Sequence, residues 1–306
     1  AAPKIKAGGR LLLVETANAV ETVSSVDPGT VLGATEETLT VATRDGAVRL
    51  GGFSDTSGQK VALYTAALEG AVLASPEPEE ADRLKAALVA LAPHEPLWRA
   101  RLGGFRPAQL ALAGRPQGLA SWDDRSFATP KGIGADEGLA ALAAWALHNT
   151  GDWGASLAFA GDEIAAAAKE LPGYVSAWVP LTLALEDPAA RPVRELAASL
   201  ADDLVAARTG SYAADLIARD PALSALETPS IGVSTAKPVD GTALTLVWGP
   251  DQVTLHYDTR LIDDGALELL AERLSLFLDR LKAGPDRPVR EHLVMPPRER
   301  DLTVVQ

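Results

Sequence analysis

Histidines are the side chains of this sequence best suited to acid–base or metal chemistry. There are four, His94, His148, His256 and His292, and no two stand at the spacing of ligands that share a metal ion. His256 alternates with apolar neighbours in a strand-like stretch. We interpret all four as structural or solvated, and the sequence predicts no metal site.

Two serines stand in a context that faintly resembles a nucleophile elbow, in "GASLA" around Ser156 and "GVSTA" around Ser234. That motif needs a second glycine and a strand-to-helix turn at the serine. Both serines fall inside apparent strands, which argues against a nucleophile. The Gly-rich stretch "GGFSDTSGQK", residues 51–60, lacks the spacing of a phosphate-binding loop and is interpreted as a loop between strands.

Paired carboxylates have plain structural explanations. Asp202 and Asp203 lie among leucines of a helical stretch, as expected of a solvated face, and Asp263 and Asp264 precede a helix and are suited to capping it. The sequence therefore predicts no catalytic, cofactor-binding or metal-ligating residue, and no cofactor.

Amino-acid composition and charge restrict the classes of protein to which this sequence could belong. The 306 residues are 47% apolar and 23% charged, an ordinary globular balance with room for two or three domains. No apolar run is long enough to cross a membrane, the start does not resemble a signal peptide, and a cytoplasmic location is expected. The absence of cysteine excludes disulfides and thiolate chemistry, and the net charge of −13 disfavours nucleic-acid binding.

Short strands and tight turns dominate residues 1–75. The turns "DPG" at 27–29 and "RDG" at 44–46 separate stretches such as "TVLGAT" and "TLTVAT", in which apolar and threonine residues alternate. Strands this short, joined this tightly, predict a small closed barrel rather than an open sheet.

The character changes after residue 75. Residues 76–135 are predicted to be a helical and irregular connection, with Leu84, Leu88 and Leu91 on one helical face and a Gly/Pro/Asp-rich surface stretch at 114–136. From 136 to 306 helices and strands alternate, which predicts a mixed sheet covered by helices. The strongest helix begins after Asp263 and carries a leucine stripe.

The first strand-rich stretch resembles a known family. "PGTVL", "L-x-V-A" and "DGAVRL" match, in order, the C-terminal domain of methionyl-tRNA formyltransferases, which is an OB-like barrel. The resemblance covers roughly residues 9–68. In that family the catalytic domain precedes the barrel, so the resemblance implies the barrel without formyl transfer. Residues 1–75 hold more acidic than basic side chains, which disfavours the tRNA-holding role that the family's barrel has.

The remainder resembles a second family, the condensation domains of nonribosomal peptide synthetases. "LTLVWGPDQVTLHYDTRLIDDGALELLAERL" followed by "PDRPV" is similar to the end of such a domain, and "HEPLWRARLGGF" to its "YW-x-x-x-L" crossing segment. The resemblance covers roughly residues 94–306. The family's active-site motif, "HHxxxDG", does not occur here, so the resemblance implies only the C-terminal lobe of a fold similar to chloramphenicol acetyltransferase.

Together these resemblances imply an α+β chain of two domains, an OB-like barrel at 1–75 and half a condensation domain at 136–306 that ends in a linker. The implied function is a non-catalytic scaffold of a nonribosomal peptide synthetase that positions an adjacent adenylation domain or a phosphopantetheinyl carrier protein, without nucleic-acid or membrane partners. Two alternatives stay open: an acyl- or formyl-transferase with an unrecognised active site between the domains, and a fragment with no separable role.

Overall fold

The structure is a computed structural model that describes residues 3–21, 25–56, 59–63, 68–73, 75–111, 121–223, 227–235 and 237–296. Its strands are β1 (Lys4–Ala7), β2 (Arg10–Val20), β3 (Val31–Ala34), β4 (Thr38–Thr43), β5 (Gly46–Ser54), β6 (Trp122–Ala128), β7 (Ser156–Ala160), β8 (Val179–Thr182), β9 (Ile231–Ser234), β10 (Leu244–Trp248) and β11 (Gln252–Asp258). Its α-helices are α1 (Pro78–Leu91), α2 (Glu95–Gly103), α3 (Ala135–Thr150), α4 (Asp162–Glu170), α5 (Val193–Arg208), α6 (Leu216–Arg219) and α7 (Asp264–Ala283).

The residues form two compact units, and each unit is assembled from segments that are separated along the chain. Unit 1 contains residues 1–103, 171–176 and 212–227, and unit 2 contains residues 104–170, 177–211 and 228–306. The chain therefore enters unit 1 three times. The sequence predicted domain borders near residues 75 and 135, from its resemblance to two families. These borders differ from those of the compact units and stay a prediction.

Unit 1 is built on an antiparallel sheet in the order β1-β2-β5-β4-β3. The predicted turns are present: Gly29 of the "DPG" turn has a φ of 93°, which glycine adopts without strain, and the hairpin between β4 and β5 closes at Gly46. One face of the sheet buries an apolar cluster of residues, among them Leu12, Val14, Val31, Leu39, Val41 and Phe53.

The predicted closed barrel is corrected by these pairings. Among the described residues no ladder joins β1 to β3, so the five strands form an open, half-barrel sheet. The free side of β3 instead bonds to residues 70–73, since Val31 N–H donates to Ala71 and Gly70 N–H donates to Val31. Irregular backbone thus occupies the place where a further strand would close the barrel.

The helical segment of unit 1 runs from α1 through a 3-10 turn at Ala92–His94 into α2. Pro93 lies in that turn, where a missing N–H is tolerated, so it tightens the helix without ending it. Leu84, Leu88 and Leu91 are half-buried on one face, as predicted. Trp98 of α2 is fully buried and is the largest anchor of the segment.

Two later segments complete unit 1. Val175 pairs with Ala213, and Tyr212 packs its buried ring 6.2 Å from that of Trp98. Asp215, fully buried, accepts a hydrogen bond from Lys4 Nζ at 2.8 Å, and the Lys4 side chain is only 6% exposed. Between residues 211 and 221 the regular α-helix is the short α6.

Unit 2 contains a six-stranded mixed sheet in the order β6-β11-β10-β9-β7-β8, which confirms the predicted mixed sheet. The pairs β10–β9 and β9–β7 are parallel, and the other pairs are antiparallel. The outer strand β6 corrects the interpretation of residues 114–136 as a surface connection. Nearly all its side chains are exposed, so β6 lacks the alternation that marks a half-buried strand.

The helices of unit 2 follow their predicted stripes. Leu196, Leu200 and Leu204 of α5 are buried, and Asp263 caps α7 by accepting from Ala266 N–H at 2.8 Å. The stripe of α7 is buried too: Leu267, Leu270, Leu274, Phe277 and Leu281. Helix α3 lies against the sheet so closely that a Cβ on Gly138 would fall 2.0 Å from Trp248. Glycine is therefore required at that contact.

The chain beyond α7 packs back onto unit 2. The helix ends at Ala283, ahead of Pro285, and the buried Val289 donates its N–H to Arg191. His292 is buried with its ring edge-on to Phe277, 6.3 Å between ring centres. Residues 297–306, where the sequence predicts a linker, lie outside the described residues.

No helix within the described ranges is both long and apolar enough to cross a membrane.

The first prediction concerns the Lys4–Asp215 pair. Asp215→Ala removes the carboxylate from a buried ammonium, and we expect the free energy of unfolding to fall by about 3–5 kcal/mol. Urea denaturation of the full chain measures it. The matched control is Lys6→Met, because the Lys6–Glu80 pair is exposed and should contribute less than about 1 kcal/mol. Equal losses in the two variants would contradict a structural role for the buried pair.

The second prediction concerns His292. Burial lowers its pKa, and Nε2 has no hydrogen-bond partner among the described residues. The unfolded chain therefore binds a proton at a higher pH than the folded chain, so stability falls as the pH drops through the ordinary histidine pKa. Each unit of pKa difference contributes about 1.4 kcal/mol. Urea unfolding between about pH 7.5 and about pH 5.5 should show a smaller pH dependence in His292→Leu than in the wild type. Identical pH dependence would refute the prediction.

Candidate functional site

The four histidines lie in separate places. His94 ends the 3-10 turn between α1 and α2, His148 lies in the last turn of α3, His256 lies on β11, and His292 is buried behind α7. Among the described residues no group of three or more histidine, aspartate or glutamate side chains is placed to hold a metal ion.

His256 is the histidine with the most ordered surroundings. It pairs in register with Asp124 of β6, so the two side chains share a face of the sheet, and the imidazole Nδ1 contacts the Asp124 carboxylate. Trp122, two residues before Asp124, stacks its ring on the imidazole at 5.0 Å and an interplanar angle of 3°. A carboxylate and an indole thus fix the orientation of the ring.

This arrangement is chemically half of a nucleophilic site. A carboxylate that accepts the Nδ1 proton leaves Nε2 able to act as a base, as in hydrolase triads. A triad also needs a nucleophile in hydrogen-bond reach of that nitrogen. In the described part of the chain, the imidazole of His256 forms one hydrogen bond, and its partner is Asp124. The nearby hydroxyls of Ser126 and Thr254 bond to each other at 3.3 Å.

The two candidate serines lie inside strands, as the sequence predicted. Ser156 of β7 shares a hydrogen bond of 2.7 Å with Thr182 of β8, and Ser234, at the end of β9, accepts the N–H of Lys237 at 3.2 Å. Both are buried. Neither stands at the strand-to-helix turn that exposes a nucleophile in an elbow.

The stretch "YDTRLID", residues 257–263, builds the turn from β11 to α7. Tyr257 hydroxyl donates to Asp123 at 3.3 Å, and burial together with that carboxylate raises the pKa of Tyr257. Asp258 is buried and accepts a bidentate contact from Arg260, which holds the pKa of Asp258 below its usual range. These side chains are engaged in holding the turn.

Unit 1 contains a groove of about 670 Å³ between α2 and residues 216–223. Ion pairs join its two walls: Arg219 contacts Glu95, and Arg99 contacts Asp220 through Nε at 2.5 Å. Asp220 is 7% exposed and Arg99 is 61% exposed, so this ion pair meets solvent on the arginine side. This groove and the adjoining helical segment form the candidate binding surface.

Sequence reasoning missed the partners of these groups. Asp124 and Trp122 lie in the stretch interpreted as a surface connection, and no role was predicted for Asp220. Their contacts join residues 132 and 121 positions apart. Periodicity is a local signal and does not report such pairs.

Comparison with known proteins supports the fold. No family model and no curated protein matches the sequence. Solved structures do match: a mutant starter condensation domain of rhizomide synthetase RzmA, in complex with C8-CoA, is 18% identical over 69% of this chain, with a TM-score of 0.51. The same domain with C8-CoA and Leu-SNAC matches with a TM-score of 0.50, also at 18% identity and over 69% of this chain.

A second kind of structure also matches. The X-domain–OxyB complex from teicoplanin biosynthesis is similar over 83% of this chain and 72% of the matched chain, at 14% identity and a TM-score of 0.50. This chain spans 56% of the length of the rhizomide synthetase domain, a little over half. The fold of the chain is therefore similar to that of condensation domains and of an X-domain.

Proposed function

We propose that this chain is a non-catalytic docking region of a nonribosomal peptide synthetase, and that it positions an adjacent adenylation domain or a carrier protein. One observation carries the proposal: a condensation-like fold occurs in a sequence that lacks the "HHxxxDG" motif. In the resembled family that motif lies in the lobe that the resemblance does not cover, so the part of the fold present here offers surfaces for partners rather than that motif's chemistry.

The polar groups of unit 2 support this proposal. His256 is held between Asp124 and Trp122 without a nucleophile beside it in the described ranges, and Asp258 is neutralised by Arg260. Such fixed pairs stabilise a sheet edge and a turn. They leave no described group in the geometry of a nucleophile bonded to its base.

A fold neighbour gives an example of docking. The teicoplanin X-domain is described in complex with OxyB, so a condensation-like fold can hold another protein. We extend that use to this chain, with a synthetase domain as its partner. A cytoplasmic location is part of the proposal.

Residues 1–75 are proposed to derive from a formyltransferase C-terminal domain, joined through residues 76–135 to the condensation-like part. The motifs "PGTVL" and "DGAVRL" support that origin, and the open sheet of β1–β5 is compatible with a barrel that lost its closure. Its acidic balance of side chains supports a protein partner better than tRNA.

A second candidate function is acyl or formyl transfer. The contact of His256 with Asp124 favours it, because a carboxylate-oriented imidazole is the usual general base of acyl transfer. In this second function the acceptor substrate would itself supply the nucleophile, so the protein would need only the base.

The third prediction separates these two functions. The full chain should show no turnover above background with formyl donors or with carrier-loaded acyl substrates. The measurement is product formation by mass spectrometry for the wild type, for His256→Ala and, as a control at a histidine outside this arrangement, for His148→Ala. Turnover that His256→Ala abolishes and His148→Ala preserves would replace the docking proposal with transfer.

The fourth prediction concerns the adenylation partner. In the longer natural protein, deletion of residues 1–290 should reduce amino-acid adenylation, carrier loading or solubility, because the neighbouring domain loses its platform. Pyrophosphate exchange and loading assays measure the effect. Unchanged adenylation, loading and solubility would refute the platform, and a natural protein that ends at Gln306 would refute the linker.

A further inference from the structure

Residues 289–296 of unit 2, which we call the strap, follow the turn after α7 and pack against that helix. Three of their side chains point inward: Val289 is fully buried, His292 is 1% exposed, and Pro296 is buried. Of these three only His292 is polar. The strap is therefore held by two apolar side chains and, between them, by one that can bind a proton.

The backbone of the strap bonds mainly within itself. The N–H groups of His292 and Leu293 donate to the C=O of Val289, at 2.9 and 3.2 Å. Toward the rest of unit 2, the N–H of Val289 donates to the C=O of Arg191 at 2.9 Å. The strap can therefore separate from α7 without losing its own turn, and its inward side chains decide whether it does.

A cavity of about 340 Å³ borders the strap, α3 and α7. Leu293, Val294 and Met295 of the strap line it, and the two helices contribute Trp145 and Phe277 among others. Atoms that border a cavity have contact partners on one side only. The strap therefore gains less from packing than a closely packed element, and opening it costs less than unfolding the core.

The place of His292 accepts only a neutral imidazole. The ring lies edge-on to Phe277, with 6.3 Å between ring centres, and its Nε2 is buried without a hydrogen-bond partner in the described part of the chain. A buried nitrogen without a partner costs free energy that an apolar side chain of similar shape would not cost. An imidazolium would bring a second N–H and a charge into the same apolar surroundings.

The charged groups around the imidazole do not compensate a bound proton. Burial is the main cause that lowers the pKa of His292, and the guanidinium groups of Arg287, ahead of the strap, and of Arg280 on α7 lower it further. A hydrogen bond to the backbone of Arg287 and the carboxylate of Glu291 act in the opposite direction. Glu291 is exposed, however, and Arg287 competes for its carboxylate at 3.8 Å.

The other elements beside the strap add no carboxylate for His292. The cavity lining contains His148 of α3 and Arg273 of α7, and its described residues include no aspartate or glutamate. Ahead of α5, the guanidinium of Arg191 pairs with Glu195 at 3.5 Å. A proton on His292 would thus lack a close counter-charge while the strap is in place.

We propose that residues 289–296 act as a pH-sensitive strap, which lies on α7 while His292 is neutral and separates from it when the imidazole binds a proton, so that Phe277 and the cavity beside it become accessible. The sign follows from linkage: the closed strap disfavours the proton, so it is stable above the ordinary histidine pKa and loses stability as the pH falls through that value. The inference does not rest on the proposed docking function.

The test uses the absence of cysteine, because a single introduced thiol then reports the exposure of one place. Three matched variants of the full chain are Val289→Cys in the strap, Val233→Cys in β9 and Val205→Cys on α5. The first two positions are 0% exposed and the third is 56% exposed. The labelling rate of each buried thiol is divided by that of Val205→Cys at the same pH, which removes the pH dependence of the thiol itself. Between about pH 7.5 and about pH 5.5 the ratio for Val289→Cys should rise at least about threefold, and the ratio for Val233→Cys should rise less.

Second substitutions assign the proton. Val289→Cys combined with His292→Leu should lose the rise, because leucine binds no proton. Combined with His148→Ala it should keep the rise, because His148 is exposed and lies outside the strap. Circular dichroism checks that each variant is folded. Hydrogen–deuterium exchange of the unmodified chain is a second measurement: protection of a peptide over residues 284–296, corrected for intrinsic exchange rates, should fall at least about threefold over the same pH range, and that of a peptide over β10 should fall less.

Several results would overturn the inference: a Val289→Cys ratio that does not change with pH, a rise that persists with His292→Leu, or a rise that His148→Ala removes. Equal rises for Val289→Cys and Val233→Cys would show that the whole unit unfolds instead of the strap opening, and they also contradict it. If Val289→Cys is not folded at about pH 7.5, deuterium exchange of the unmodified chain and of His292→Leu decides alone, and equal pH dependence in these two chains refutes the strap.

Discussion

The buried ion pair between Lys4 and Asp215 is the interaction on which unit 1 depends. It joins the first strand to a segment 211 positions later, and both side chains are almost fully removed from water. Two charges buried in this way are tolerated only when each has the other, because the desolvation of either alone costs several kcal/mol. Unit 1 therefore cannot be complete until the chain through residue 227 is in place, and the sheet of β1–β5 is not an independent module in energetic terms.

In unit 2 the arrangement around His256 depends on strand pairing instead. Its outer strand β6 is held by β11, and that ladder sets Asp124 beside His256. The imidazole of His256 is therefore held between Asp124 and Trp122 by the register of β6 against β11. A slip of that register by one residue would move every side chain of the strand to the other face. On a mobile loop, an exposed pair such as Asp124 and His256 would not be held in contact. The histidine site and the sheet edge are therefore one structural feature.

Local features of the fold were predictable from the sequence, and distant ones were not. The cap at Asp263, the leucine stripes of α5 and α7, the "DPG" turn and the strands around both serines each follow from residues within one or two turns. Strand β6 was missed because exposed side chains on both faces give no alternation, and the barrel closure failed because residues 70–73 bond to β3. Of the candidate binding surface, the leucine face of α1 was predictable from the sequence, but the ion pairs Arg99–Asp220 and Arg219–Glu95 were not.

The placement of charge connects these observations. At Arg99–Asp220 and at Arg260–Asp258 the carboxylate is the buried member and the guanidinium the more exposed one. Each such pair is close to neutral overall, with the guanidinium as the member that solvent or a partner reaches. Because the chain has a net charge of −13, an acidic partner gains no long-range attraction, and its binding would be decided at short range. Such a surface selects its partner by local pattern rather than by net charge. That property suits the proposed docking role, because a tether to a neighbouring domain would supply the encounter that electrostatic steering otherwise provides.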